Sequence, residues 1–450
     1  MAVKPQSGKA KKTQDAKPRA AAVKRPSPKT APSTKPSVKT PLKEPLRTVK
    51  QPSSARPEDA KLAGRSADIS SSTQAIDLQT IARLVEGRSR ELIARLDELV
   101  EAESPSDDKL AVDRAGQLCV EWAEALGASV RRHRQEHAGD VLELRFGPAK
   151  GPRVLLLGHL DTVWPIGTLR SMPFTVEDAR VSGPGVLDMK SGVVMAMEAL
   201  RTLREMKAER PVTLLLASDE ETGSAASRPV IEQVARECEA VFVLEPAQGL
   251  AYKTARKGVG HFTLRVTGVA AHAGVDFAAG HSAVLEMARL LQKVASFTDP
   301  ARGITVNPGV VRGGTRSNVV AAECVAEIDV RIVKATDAKA IEARFAALKP
   351  RDKGCTLEVS GGINRPPMER RRGTVKLFRL AQAVAKEMGL KLEEASTGGG
   401  SDGNFTAALG IPTLDGMGAV GAGAHAATEH LDRSRLVERT VLLAAMIASV

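Results

Sequence analysis

Two stretches carry residues whose types and spacing suit chemistry. In Val154-Leu-Leu-Leu-Gly-His-Leu-Asp161 an apolar run of strand length ends at Gly158, and His159 and Asp161 then share one face at the period-two spacing of a strand. Such a pair suits metal ligation, with His159 offering a ring nitrogen while Asp161 fixes the ring's tautomer. It equally suits an ordinary loop histidine beside a turn acid. Gly183-Pro-Gly-Val-Leu-Asp188 favours chemistry, because a second glycine-bracketed turn again directs a carboxylate toward a strand end.

Three later stretches add donors. Val212-Thr-Leu-Leu-Leu-Ala217 runs into Ser218-Asp-Glu-Glu-Thr-Gly223, and consecutive acids after a buried strand repel one another unless cations sit beside them. Val241-Phe-Val-Leu244 ends at Glu245-Pro246, an acid that a simple core strand has no reason to carry. Gly421-Ala-Gly-Ala-His425 places a histidine in a loop of small residues able to approach a crowded centre. The donor set is then His159, Asp188, Glu221, Glu245 and His425, with Asp161 and Glu220 left over. Two imidazoles and three carboxylates, one of them bridging, fit two cations about 3.5–4 Å apart. Zn²⁺ is the first expectation, and oxygen-rich ligation also admits Co²⁺ or Mn²⁺. Glu220, unligated beside Glu221, is the expected general base.

The elements that must position these residues alternate between strand and helix. Apolar residues recur at three- and four-residue spacing over 76–100 and again over 110–126, which predicts helices. Strands are expected over 128–132, 141–146, 154–158, 212–217 and 241–244, with helices over 190–207 and 225–236. This is an α/β catalytic domain with a central sheet flanked by helices. Between residues 256 and 362 the order becomes β-α-β-β-α-β, a ferredoxin-like unit read as an insertion. The expected organisation is a tail over 1–72, catalytic segments over 73–255 and 363–450, and an inserted domain over 256–362.

Composition agrees with an aliphatic α/β core, since 42% of the 450 residues are hydrophobic and only 3% aromatic. The net charge of +12 belongs to the tail. Residues 1–57 hold eleven Lys and four Arg against Asp15 and Glu44, so the rest of the chain sums to about −1. Rich in Lys, Pro, Ala and Ser, residues 1–72 are expected to be disordered. Nucleic acid or an anionic surface could be held only there, and the tail's lack of aromatics argues against base stacking. No secretory apolar segment and no run of membrane-spanning length is visible. Cys119, Cys238, Cys324 and Cys355 are widely spaced, with no C-x-x-C motif, which suits reduced thiols and the cytoplasm.

His159-x-Asp161, Gly185-Val-Leu-Asp188-Met-Lys190, Ser218-Asp-Glu-Glu-Thr-Gly223, Glu245-Pro246 and His425, in that order, resemble the dizinc exopeptidases and amidohydrolases. That family includes bacterial glutamate carboxypeptidase, succinyl-diaminopimelate desuccinylase and acetylornithine deacetylase. The likeness runs from about residue 76 to the C-terminus and is greatest to the glutamate carboxypeptidase branch, through Gly158-His-Leu-Asp-Thr-Val-Trp-Pro165 and Gly183-Pro-Gly185. It implies one Zn²⁺ on His159, Asp188 and Glu245 and another on Asp188, Glu221 and His425, with Asp188 bridging. It further implies that Asp161 orients His159, that Glu220 acts as base and then acid, and that the Asp188-Met189 peptide is cis.

In the insertion the resemblance makes His272 a polariser of the scissile carbonyl, often supplied by a partner subunit, so a homodimer through this domain is expected. It also makes Asn318 and Arg331 readers of a substrate carboxylate, Arg331 through its bidentate fork. Gly398-Gly-Gly-Ser-Asp-Gly403 opens a helix as a nest-like loop, and backbone N–H groups at Gly399 and Gly400 could hold the other end of that carboxylate. The expected function is metal-dependent cleavage of an amide or peptide bond beside a free α-carboxylate, in a small peptide or N-acyl amino acid. Deacetylase, desuccinylase or dipeptidase activity on the same scaffold is the enzymatic alternative. A non-catalytic, metal-dependent binding protein is disfavoured by Glu220 beside a full ligand set, and a tail-driven nucleic-acid binder by the near-neutral body.

Overall fold

The strand Val154–His159 is buried along its whole length and lies inside a six-stranded sheet. Its neighbours are Val212–Ala217 and Ala240–Val243, both parallel to it. Val141–Phe146 and Ser129–His133 extend one side antiparallel, and Thr413–Leu414 closes the other in parallel, so the sheet is mixed. The apolar runs at 154–157 and 214–217 follow from this position, because helices cover both faces of the parallel part. The computed structural model describes residues 77–450. The expected basic tail, residues 1–72, lies outside them.

One large core joins one face of the sheet to the helices Ser191–Glu205, Arg372–Glu387 and Arg433–Ser449, and a smaller one covers the other face under Arg228–Ala235. The single helix expected over 76–100 is two, Leu78–Gly87 and Ser89–Glu101. The chain breaks at Arg88, whose guanidinium is drawn onto Ser191–Glu205 by Glu198 at 2.7 Å, Glu205 at 2.5 Å and Thr202 at 2.7 Å. A three-and-four spacing continues across such a break, which is why periodicity did not reveal it.

Residues 258–365 run strand Gly258–Thr267, helix Ala283–Ala295, strands Thr305–Gly313 and Glu323–Ile332, helix Thr336–Ala346 and strand Thr356–Arg365. Gly258–Thr267 lies between Glu323–Ile332 and Thr356–Arg365, and Thr305–Gly313 forms an edge, with every pair antiparallel. Alternate residues of Gly258–Thr267 are buried against the two helices, giving this segment its own core. Phe345 centres that core, stacked on Phe262 at 3.8 Å and edge-on to Phe297 at 5.5 Å. No described helix is long and apolar enough to cross a membrane.

Candidate metal centre

The donors gather beyond the carboxyl ends of the parallel strands, where open α/β sheets present their ligand sites. His159 ends its strand with 2% of its surface exposed. The strand Val212–Ala217 delivers Glu220 and Glu221, and Ala240–Val243 delivers Glu245. Asp188 arrives on the turn before Ser191–Glu205, and its peptide bond to Met189 is cis.

Asp188 stands between the two imidazoles. Its Oδ1 is 3.4 Å from His159 Nε2, and its Oδ2 is 3.5 Å from His425 Nε2. Glu245 Oε1 lies 3.7 Å from His159 Nε2, and Glu221 Oε2 lies 3.1 Å from His425 Nε2. His425 reaches the centre with a left-handed backbone, φ 62°, within the small-residue loop. Ligand atoms of His159, Glu220 and Glu245 converge within 4.8 Å of one another, as do those of His159, Asp188 and Glu221. The residues fit bound metal. Asp188 Oδ1 is buried with no hydrogen-bond partner, an arrangement costly for a carboxylate oxygen unless something positive faces it.

The three consecutive acids are separated by their partners. Asp219 turns back to accept from the N–H groups of Ala226 at 2.7 Å and Ser227 at 3.1 Å, at the start of Arg228–Ala235. Glu220 meets Arg365 Nη2 at 3.0 Å, and Glu221 meets His425. Asp161, fully buried, holds this turn: its Oδ1 accepts from the Glu220 N–H and its Oδ2 from the Glu221 N–H, both at 3.1 Å, while Ser106 donates to Oδ2 at 2.6 Å. His159 Nδ1 lies 3.5 Å from the Asp161 carboxylate and 2.9 Å from the Asp161 carbonyl, so residue 161 orients the ring through backbone as well as side chain.

The electrostatics express the crowding. Burial raises the Glu220 carboxyl well above its ordinary range, against the pull of Arg365 and His159. Burial and the neighbouring Asp188 push Glu245 up to about 7, opposed by Arg256 and Lys253. Hydrogen bonds to Asp188 and Glu221 raise His425 to about 10. Burial also acts against charge on Asp188, but the two imidazoles hold its carboxyl below the carboxylate range.

Residues expected to read the substrate sit apart from this cluster. Among the described residues, His272, Asn318 and Arg331 make no hydrogen bond or ion pair with it. His272 Nδ1 accepts from the N–H groups of Gly274 and Val275 at 3.1 and 3.2 Å, and the Asn318 carbonyl accepts from Ala273. Arg331 spends its fork on Asp329, with Nε and Nη2 each 2.8 Å from the carboxylate, and its Nη1 donates to the Gly398 carbonyl. Gly399 and Gly400 turn carbonyls, not N–H groups, toward Arg256 Nη1, at 3.3 and 2.9 Å. Two other histidines pair with acids outside the cluster, His133 2.8 Å from Glu143 and His281 2.8 Å from Asp352.

Sequence reasoning did not reach two buried arginines. Arg256 ends the strand Tyr252–Arg256 that leads into the insertion; it forks onto Asp415 at 2.6 and 2.8 Å and reaches Glu245 at 3.2 Å. Arg365 ends the strand that leaves it. Both chain crossings thus carry a guanidinium that ends on a carboxylate of the centre.

The sequence profile of peptidase family M20/M25/M40 matches residues 155–449, which span every one of these candidate ligands. The chain belongs to the M20 peptidases. It is 30% identical over 368 residues to carboxypeptidase G2 of Pseudomonas sp. (strain RS-16), covering 79% of this chain and 88% of that one. It is 29% identical to the succinyl-diaminopimelate desuccinylase of Azoarcus sp. (strain BH72), over 66% of this chain and 84% of that one. The solved M20 family metallo-carboxypeptidase Sso-CP2 of Sulfolobus solfataricus superposes with a TM-score of 0.65 at 16% identity, covering 80% of this chain and 98% of that one, and shares the fold. This M20 protein is therefore an enzyme of the metallopeptidase class, with a candidate metal-ligand cluster in place.

Proposed function

We propose that the protein is a Zn²⁺-dependent hydrolase that cleaves an amide or peptide bond next to a free α-carboxylate, in the manner of a glutamate carboxypeptidase. The observation that carries this reading is Asp188 with one oxygen addressed to His159 and the other to His425. His159, Asp188 and Glu245 would hold one cation, and Asp188, Glu221 and His425 a second. When bound, the two cations supply Lewis acidity toward water and the scissile carbonyl.

Glu220 does the proton work. Its carboxylate takes a proton from the attacking water and returns it to the leaving amine, and its raised pKa suits the second half of that cycle. Asp161 holds Glu220 and Glu221 at fixed separation through their backbone N–H groups. Arg365 keeps the Glu220 carboxylate oriented and partly charge-compensated.

The insertion, residues 256–362, is read as a ferredoxin-like lid and dimerisation domain. Val275, Phe277 and Leu285 expose 81%, 64% and 56% of their surfaces there, an apolar face suited to a second copy of the chain. His272 lies beside that face, away from its own chain's acidic cluster, which is consistent with service to a partner's centre.

N-acyl amino acid deacylation uses the same chemistry, and the likeness to a desuccinylase keeps it as the second reading. A panel of dipeptides, N-acetyl, N-succinyl and N-aroyl amino acids, assayed with Zn²⁺-loaded and chelated protein, tests the proposal. Metal-dependent turnover confined to substrates with a free α-carboxylate is the expected result. Turnover insensitive to chelation, or none on any panel member with two Zn²⁺ bound, contradicts it.

A further inference from the structure

One buried carboxylate near the centre takes no part in the chemistry above. Glu429 is 1% exposed and accepts four hydrogen bonds, two on each oxygen. Its Oε1 accepts from the N–H groups of Leu187 at 2.9 Å and Asp188 at 3.1 Å. Its Oε2 accepts from the N–H of Gly185 at 3.1 Å and the indole N–H of Trp164 at 2.9 Å. An ionised carboxylate is an acceptor with about four lone-pair sites, and here four donors meet them.

These donors come from different ligand loops. Gly185, Leu187 and Asp188 belong to the turn that presents the bridging acid, and Trp164 follows His159 and Asp161 on the adjoining loop. Glu429 itself sits four residues after His425, in the loop closed by the pairing of Gly421–Ala422 with His430–Asp432. His430–Asp432 also pairs with Arg180–Ser182, just before the Asp188 turn. Gly185, with φ 69°, lets that turn curl around the carboxylate, and a Cβ there would meet Thr162 Cγ2 at 2.6 Å.

Resting on the dinuclear reading, we infer that Glu429 is a positioning residue that clamps the loops of His159, Asp188 and His425 into one register, and thereby sets the affinity of the centre for its second cation. The second cation depends on it most, because His425 lies in Glu429's own loop, whereas His159 is already fixed at the end of a buried strand and by Asp161. Glutamine at 429 keeps the volume but turns an acceptor into an N–H₂ group facing N–H donors, so the clamp is lost without a cavity. Aspartate keeps the acceptors and shortens their reach.

The test is calorimetric titration of metal-stripped protein with Co²⁺, together with the visible spectrum at each equivalent. Wild type is expected to bind two equivalents. In Glu429→Gln the weaker equivalent should lose roughly 10–100-fold in affinity, the range typical of groups that orient metal ligands, with a changed second-equivalent spectrum. Glu429→Asp should lie between the two, and it supplies the same readout should Glu429→Gln not fold. A folded Glu429→Gln or Glu429→Asp that binds both equivalents with wild-type affinity and spectra overturns the inference alone. A wild type that binds fewer than two overturns the dinuclear reading and the inference with it.

Discussion

Arg365 Nη2 lies 3.0 Å from Glu220 Oε1, so the proposed general base is paired with the last residue of the strand that leaves the insertion. The same guanidinium bonds Asp402 at 2.6 Å and Ser224 at 2.9 Å, and packs over Phe405. Any movement of the insertion against the main sheet therefore acts on the charge that faces the base.

Replacing Arg365 changes the pH profile in a definite direction. Burial raises the Glu220 carboxyl and Arg365 opposes that rise. As the proposed base Glu220 would act when ionised, so activity is expected above its folded pKa and lost as pH falls through it. Removing the cation raises that pKa further, and the acidic limb of kcat/KM in Arg365→Met should move to higher pH. A limb that stays in place shows that Glu220 is not the titrating base.

Glu220→Gln should leave metal content and fold intact and lower kcat by about 10²–10⁴-fold, the usual worth of a positioned acid–base group. Metal analysis beside steady-state kinetics checks it. Near-normal kcat in this variant removes Glu220 from the mechanism.

Arg256 is 4% exposed and compensates both Asp415 and Glu245. Arg256→Met leaves two buried acids without their cation, which is expected to cost about 3–5 kcal/mol of stability, as when one partner of a buried ion pair is removed. Denaturant unfolding measures the loss. A change below about 1 kcal/mol would mean that water or Lys253 takes over the compensation.

Arg331 must share or leave Asp329 to read a substrate carboxylate. Arg331→Ala should weaken hydrolysis of N-acyl amino acids by roughly 10²-fold through a raised KM, the scale of a lost charge-assisted pair, with metal binding unchanged. Unaltered KM assigns Arg331 to the Asp329 and Gly398 contacts alone.

The clustering of the candidate donors was legible because each follows a local signal: His159, Glu221 and Glu245 come after buried, largely apolar strands, Asp188 after paired glycines, and His425 within a run of small residues. The β-α-β-β-α-β order of the insertion was legible for the same reason, since alternation and turns are local. What compensates these candidate donors was not. Arg256 and Arg365 stand at the ends of ordinary-looking strands, and their partners Asp415 and Asp402 lie 159 and 37 residues away in the chain. Glu429 carried one faint signal, its place four residues after His425, yet its donors are about 240 residues upstream or more. The Asp329 partner of Arg331 was the opposite case, two residues away on the same strand face and readable from period two.

Metal-dependent cleavage beside a free α-carboxylate is tested by comparing an N-acyl amino acid with its α-carboxamide on the Zn²⁺-loaded protein, before and after chelation. The free acid should be cleaved roughly 10²-fold or more faster than the carboxamide, the scale of a lost charge-assisted carboxylate contact, and chelation should abolish both rates until Zn²⁺ is restored. Equal rates on the two substrates, or cleavage that survives complete removal of metal, contradict it.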